Sequence, residues 1–391
     1  MELLQIRNKI NFTLNGKSLG VLTRDNKFTF EYTRSWLSKG FDICPSMPLA
    51  EKKFTQDTLF PIFYDVSPDT WGQKILLYAE KLGAMFSRRG SWGLSDLEII
   101  DRSDNLTRQG AIETNYKDTD VSLPKTQEDV HRLLAIIDRI EQHISIDNCA
   151  NEILKLLKFG LSSGGSRPKF NLFLKDNVWL CKCKSREDTF TVPAWEAMNL
   201  ELAKLCGITV PDFHYDREDR VLYVKRFDRI GKQKIHYISA WTMCNSKAIS
   251  YTDIAKCCQN DADKKEVFKR MFLNACIGNY NDHAKNHGFL YYDDSWHLSP
   301  VFDLKTLPFD KNSAFHSIGL ANGKNYSALH HILSNTKYFA LTVGEAKQIV
   351  LDIHSTVKNN LVELTNKYGI SDELPLTKHE YKAMDKDVSA M

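Results

Sequence analysis

The sequence predicts an α+β fold in three consecutive parts. These are a β-rich amino-terminal domain (1–125), a β-rich lobe with leading helices (126–240) and a helical lobe (241–391). Two periodicities and one break carry this reading. Apolar residues alternate strictly over 10–32 and again from Phe170, the period of a half-buried strand. They recur at helical spacing over Lys264 to Ile277 and Thr342 to Leu364. Residues 101–125 are polar and poorly periodic, and read as a linker.

The elements follow in order. Ile10, Phe12 and Leu14 alternate, and Asn15-Gly16 is a hairpin signal because both residues tolerate φ > 0. Leu19-Gly20-Val21-Leu22 resumes the pairing, and Phe28, Phe30 and Tyr32 alternate again. Ser67-Pro68-Asp69 opens a helix to about Leu82, with Ser67 as cap, Pro68 in the first turn and Gly83 as the stop. Thr126-x-x-Asp129 starts a helix with Val130, Leu133, Leu134, Ile137 and Ile140 on one face. A short helix over 151–158 leads to Gly160. Strands Phe170 to Leu174 and Val178 to Lys182 flank an Asp176-Asn177 turn, and Pro193 to Cys206 is a helix stopped by Gly207. Val221 to Val224 is a short buried strand, and beyond residue 240 the chain reads as mostly helical, its last long helix opened by a Thr342-x-x-Glu345 capping box.

Composition narrows the function classes. With 391 residues, two or three compact units are expected. Hydrophobic residues at 42% and charged residues at 26% fit an ordinary soluble protein. A net charge of +3 is too small to argue for nucleic acid or an anionic membrane, so neither is expected as a direct partner. The amino terminus has no signal-peptide pattern, and no apolar run approaches the ~20 residues of a membrane span. Nine cysteines without a CxxC pair read as reduced thiols, which implies a cytoplasmic protein.

The chemistry concentrates in four places. Ser162-Ser163-Gly164-Gly165-Ser166-Arg167-Pro168-Lys169 could cradle phosphates with backbone N–H groups, though alone it reads rather as a flexible loop. Lys182 falls on the strand face set by Val178 and Leu180; phosphates and an acidic residue such as Glu196 would satisfy it. Lys225-Arg226-Phe227-Asp228-Arg229 follows a buried strand, as a hinge or as a charged turn. The strongest pattern is Asn279-Tyr280-Asn281-Asp282-His283-Ala284-Lys285-Asn286 with Asp303 seventeen residues beyond Asn286. It resembles a protein-kinase catalytic loop, where a base Asp precedes a metal-binding Asn by five and a second Asp follows. At the base position stands Asn281. A zinc or phosphoesterase site would need further His and Asp ligands, and His287 and His297 read as core or surface histidines.

Together these residues resemble the HipA family of serine/threonine kinases, toxins of type II toxin–antitoxin systems. The Asn15-Gly16 hairpin and Asp65-Val66-Ser67-Pro68-Asp69-Thr70-Trp71-Gly72 are similar to the family's amino-terminal domain. Gly164 to Lys169, Arg226 to Arg229, His283-Ala284-Lys285-Asn286 and Ser299 to Leu304 are similar to its kinase signatures. The resemblance implies a bilobal protein-kinase-like fold, ATP and Mg2+, and phosphoryl transfer to a protein hydroxyl. It implies that Gly164, Gly165, Ser166, Arg167 and Lys169 cover the phosphates, with Lys182 holding them and His283 and Lys285 alongside. Lys225, Arg226 and Phe227 would form the adenine hinge, Asn286 and Asp303 would bind metal, and Ser162 or its neighbour Ser163 would be autophosphorylated. It further implies a small DNA-binding antitoxin of the HipB type as partner, and an aminoacyl-tRNA synthetase as substrate.

The family usually carries Asp where this chain has Asn281. An amide orients a hydroxyl but cannot take its proton as a carboxylate does. The chain is then an engineered Asp→Asn form, a natural pseudokinase acting as an ATP-binding regulator through a partner, or an enzyme in which Asp282 serves after a loop shift. A small-molecule kinase on the same scaffold is a further alternative.

Overall fold

The computed structural model describes residues 8–81, 97, 99–100, 105–115, 123–142, 165–231, 233–245, 250–306, 315–373 and 387–389. The chain divides into two compact units, one of residues 1–187 and 228–238, the other of 188–227 and 239–391. The class is α+β, as the alternation and the helical periods predict.

The first unit begins with an antiparallel sheet in the order β4-β3-β2-β1-β5: β1 (Lys9–Leu14), β2 (Lys17–Arg24), β3 (Phe28–Tyr32), β4 (Phe54–Gln56) and β5 (Ile112–Thr114). Asn15 and Gly16 have φ of 48° and 75°, so the β1–β2 turn takes the left-handed form that this dipeptide favours. Short helices α1 (Arg34–Lys39) and α2 (Pro61–Asp65) follow. Phe63 of α2 stacks on Phe12 at 4.6 Å and tilts against Phe30 at 5.3 Å, which makes the alternating face of the sheet the core. Gly20 is required there, because a Cβ at this position would penetrate the Phe30 ring.

Helix α3 (Thr70–Lys81) starts two residues later than Ser67 as cap and Pro68 in the first turn suggest. Asp69 caps it, accepting the Thr70 N–H at 2.8 Å, while the Ser67 hydroxyl turns back onto the Phe63 carbonyl. The expected linker is structured where it is described. It contributes β5 and the fully buried Arg108, whose guanidinium donates to Val66 O (2.7 Å), Ile100 O (3.0 Å) and Asn105 Oδ1 (3.2 Å). A three-residue strand and one buried cation leave no periodic trace.

Helix α4 (Gln127–Glu141) opens with the expected capping box between Thr126 and Asp129; Ile136, and not Leu134, completes its buried face. The helix expected over 151–158 lies outside the described residues. Hairpin β6 (Lys169–Leu174) and β7 (Asn177–Cys183) turns at Lys175-Asp176, both at positive φ, one residue earlier than Asp176-Asn177 suggests.

The chain then leaves for the second unit with α5 (Val192–Leu205), β8 (Phe213–Asp216) and β9 (Val221–Lys225), and returns as β10 (Arg229–Ile230) and β11 (Gln233–Lys234). At that return Asp228 and Arg229 form a buried ion pair at 2.8 Å. Asp228 accepts the Gly110 N–H, and the Arg229 fork reaches the carbonyls of Arg108, Gly110 and Asp228. The second half of the Arg226-Phe227-Asp228-Arg229 signature is therefore a structural clamp on residues 108–110.

After β12 (His236–Ser239) come α6 (Ala240–Met243), α7 (Tyr251–Cys257) and α8 (Asp261–Ile277). Capped by Asn260, α8 starts at Asp261, three residues before the apolar period becomes visible at Lys264, and Gly278 closes it at φ 64°. The reading of this region as mostly helical misses the hairpin β13 (Gly288–Tyr292) and β14 (Ser295–Leu298). Its turn is Asp293-Asp294, both at positive φ, instead of a glycine-bearing pair. Helices α9 (Leu329–Ile332) and α10 (Val343–Tyr368) complete the unit; α10 has the expected Thr342–Glu345 capping box and runs on to Gly369 at φ 69°. No helix among the described residues is long and apolar enough to cross a membrane.

Arg229→Ala should lower the stability of the full chain by about 3–5 kcal/mol, the cost of stranding a buried partner charge. Arg229→Lys should recover little, since a point charge cannot reach the same carbonyls. Urea denaturation of the three proteins measures both.

Candidate active site

The loop that follows α8 is built around one buried carboxylate. Asp282 is 2% exposed, and its Oδ2 accepts from Asn274 Nδ2 (2.8 Å), His287 Nε2 (2.9 Å) and the Tyr251 hydroxyl. Asn274 also accepts from Asn279 Nδ2 at 3.0 Å, so one side chain of α8 holds both ends of the turn. Burial pushes the Asp282 pKa up; the charge and hydrogen bond of His287 and the Tyr251 hydroxyl outweigh it and hold the carboxyl below its usual value. Asp282, weighed as a substitute base, is buried and anchors the loop through three donors on its Oδ2. Asn281 beside it is exposed. Adjacent residues of the loop face opposite ways, and position 281 is the one turned outward.

The two candidate metal ligands flank one hairpin in sequence. Asn286 lies two residues before β13 begins at Gly288, and Asp303 five residues after β14 ends at Leu298; Ser299 N–H on Gly288 O, at 2.8 Å, closes the open end. Asn286 Nδ2 points at the Asn281 carbonyl at 3.4 Å, which leaves its Oδ1 as the oxygen to present. Asp303 sits at φ 62°, a conformation that costs a non-glycine residue energy and marks a functional position when its surroundings enforce it. Helix α5 enforces it. Glu196 and Asn199 share one face at i and i+3. Glu196 accepts the Asp303 N–H at 3.0 Å, and Asn199 donates to Leu304 O and Thr306 Oγ1, each at 3.1 Å. Asp303 Oδ1 meets the Lys305 ammonium at 2.6 Å. Asn286 and Asp303 offer hard oxygens that could hold a divalent cation.

The hinge residues divide. Phe227 packs against Phe302 at 5.6 Å, which sets it one residue from Asp303. Arg226 is buried. Lys225 instead pairs outward with Asp212 at 3.2 Å. His283 precedes the 3-10 turn Ala284–Asn286, half-buried, and Lys285 projects away over the Trp241 ring at 5.1 Å.

In the first unit, Gly165 to Lys169 is held by the start of α3. The Gly165 N–H donates to Asp69 Oδ2 (2.8 Å), its carbonyl accepts from Trp71 N–H (3.1 Å), and the Trp71 indole donates to Lys169 O (3.0 Å). Gly165 has φ of 79°, and a side chain there would collide with the Lys169 ammonium. Lys182 shares its strand face with Val178 and Leu180 as expected, but the more buried face carries Cys181 and Cys183. Lys169 and Lys182 stand directly opposite across β6 and β7. Like charges in register destabilise a sheet unless an anion joins them. Ser166 and Arg167 lie in the same segment; Ser162, Ser163 and Gly164 lie outside the described residues.

Sequence reasoning missed Asn199, Tyr251, Asn274, His287, Lys305 and the two clamp residues Asp69 and Trp71. Three of them, Asn199, Tyr251 and Asn274, are polar residues inside helices, and only the polarity of an otherwise buried helix face could have signalled those.

Asp282→Ala should destabilise the protein by about 3–5 kcal/mol, as for other buried charges stripped of their pairing. Because the folded carboxyl titrates below its unfolded value of ~3.9, its contribution is complete above that pH and is lost as pH falls through the folded value. Acid unfolding curves of the wild type and Asp282→Asn should therefore differ in slope below pH ~4 and run parallel above it.

The chain is similar to known proteins. A model of the HipA-like C-terminal domain matches residues 161–361, and one of the HipA N-terminal domain matches residues 10–88. The serine/threonine-protein kinase toxin HipA of Shewanella oneidensis MR-1 is 25% identical over 318 residues, covering 71% of this chain and 69% of that protein. A chain in the solved complex of HipA, HipB and operator DNA from the toxin–antitoxin system of the same organism superimposes over 95% of both chains. Its TM-score is 0.66 at 17% identity, which establishes a shared fold. With its amino- and carboxy-terminal regions both matched in order, the chain belongs to the HipA family.

Proposed function

We propose that this protein is an ATP- and magnesium-dependent serine/threonine protein kinase of the HipA toxin type, slowed in this chain by Asn281. What supports the reading is the chain's match to both HipA domain models in order, together with the Glu196 carboxylate of α5 that holds the Asp303 N–H. The oxygens of Asn286 and Asp303 suit magnesium, and Asp303 already faces a cation in Lys305. Magnesium, when bound, would neutralise charge on the transferring phosphoryl group.

This chain's residues would then divide the work. Lys169 and Lys182, directly opposite across β6 and β7, would bind the phosphates of ATP, and Gly165, Ser166 and Arg167 would approach the same groups through backbone and side chain. Phe227 would pack on the base, with Arg226 beside it. Position 281, exposed at the loop, would orient the substrate hydroxyl. As the oxygen bonds to the γ-phosphorus and the bond to ADP breaks, the hydroxyl proton must leave. Asn281 does not accept it as a carboxylate would. A specific residue therefore favours a second reading, an ATP-binding regulator that acts by docking a partner. A HipB-type antitoxin is the proposed partner, on the strength of the solved complex that names HipA and HipB together. The substrate would be a serine or threonine of a cytoplasmic protein, an aminoacyl-tRNA synthetase being the class the resemblance suggests. Phosphorylation at Ser162 would put about two negative charges into the phosphate loop and expel ATP.

Asn281→Asp should raise phosphoryl transfer from labelled ATP to protein by ~10²–10⁴-fold, the scale of general-base effects. Equal rates for the two forms would remove the base assignment. Asp303→Ala should abolish magnesium-dependent ATP binding in either background, read by titration calorimetry. Phosphopeptide mapping of cells expressing the Asn281→Asp form would identify the substrate and show whether Ser162 is modified.

A further inference from the structure

Two thiols outside the candidate site stand in contact. Cys244, which caps the end of α6, and Cys257, the last residue of α7, bring their sulfurs to 2.9 Å. Both are half-buried and free, so a small oxidant can reach them. Joining them needs a closure to about 2.05 Å, less than an ångström of movement. Neighbouring Cys258 is buried with its thiol on the Ile254 carbonyl, which removes it from competition.

We propose that Cys244 and Cys257 form a reversible disulfide on exposure to a peroxide, and that this bond ties together the two helices that brace the loop at 279–287. The link to the loop is direct at three points. The Ala240 N–H of α6 donates to His287 O at 2.7 Å, Trp241 of α6 carries Lys285, and Tyr251 of α7 donates to Asp282. Both helices are short, and each supports the loop from a different side of the Asp282 network.

The chemistry balances with hydrogen peroxide as the oxidant. The hydrogen bond from Cys244 lowers the Cys257 pKa, against burial, and Cys244 is raised in return, so Cys257 is the more readily ionised of the two. Once it has lost its proton, its sulfur attacks one peroxide oxygen, the O–O bond breaks to leave sulfenic acid and hydroxide, and the hydroxide takes up the released proton as water. The Cys244 sulfur then attacks the Cys257 sulfur, the S–O bond breaks, and the hydroxyl leaves as a second water with the Cys244 proton. Both sulfurs are oxidised and the peroxide oxygens reduced. A dithiol reverses the bond by exchange.

The test treats the full chain with hydrogen peroxide and maps peptides without reduction. A cross-linked Cys244–Cys257 peptide is expected, lost in Cys244→Ser and Cys257→Ser, kept in Cys258→Ser, and reversed by dithiothreitol. Hydrogen exchange on the oxidised wild type should slow across 240–243, 251–257 and 281–287. Peptides in which both thiols remain alkylatable while a small-molecule thiol in the same tube is fully oxidised would overturn the proposal. So would a Cys257–Cys258 bond, or cross-linking that leaves exchange at 281–287 unchanged. The wild-type peptide map and exchange data need no variant, so a misfolded serine substitution does not blunt the outcome.

Discussion

The loop geometry rests on the ionised carboxylate of Asp282. A charge taken out of water must be repaid by donors on the spot, and here they come from three separate places: α8 through Asn274, α7 through Tyr251, and the entry to β13 through His287. Because one atom collects all three, none can shift without leaving a donor or the charge itself unmatched. Position 281 points outward because position 282 points inward. The anchor and the reactive position are one residue apart, and the loop's selectivity for which side chain meets solvent follows from that.

A second constraint acts on Asp303. Its left-handed backbone is unfavourable in isolation. Glu196 and Asn199 make it the favoured state by binding the N–H and carbonyl groups that this conformation exposes. Helix α5 is otherwise almost wholly apolar, so two polar residues one turn apart on it stand out as a device for holding a loop. The same logic operates at the start of α3, where Asp69 and Trp71 grip Gly165 through its N–H and carbonyl. In each unit a rigid helix fixes a short irregular segment by its backbone, which frees the side chains of that segment for other partners.

What the chain discloses by itself depends on how local the physics is. The Asn15-Gly16 turn and the capping boxes at Thr126 and Thr342 are decided within four residues and were readable. So was membership of the HipA family. The β13–β14 hairpin was not, because Asp293-Asp294 lacks the glycine that announces such a turn. The start of α3 slipped because Ser67 and Asp69 are both good caps, and only the tertiary demand of Gly165 selects between them. Asp282 and Asn281 look interchangeable as letters; donors from residues up to thirty-one positions away separate their roles. The side chains of Lys225 and Lys285 meet Asp212 and Trp241, partners that their place in the sequence does not announce.

The hairpin has a consequence for recognising distant relatives. Its open end is set by the pairing of Ser299 with Gly288, while its closed end reaches away from Asn286 and Asp303. Extra residue pairs added at the Asp293-Asp294 tip would lengthen the arms and leave the mouth as it is. Strand periodicity adds the condition that each arm grow without shifting register, since a slip by one residue reverses every face. The count of residues separating Asn286 from Asp303 is therefore a free variable of evolution. What must persist is the pair of short segments at the mouth and the two polar residues on α5 that hold one of them.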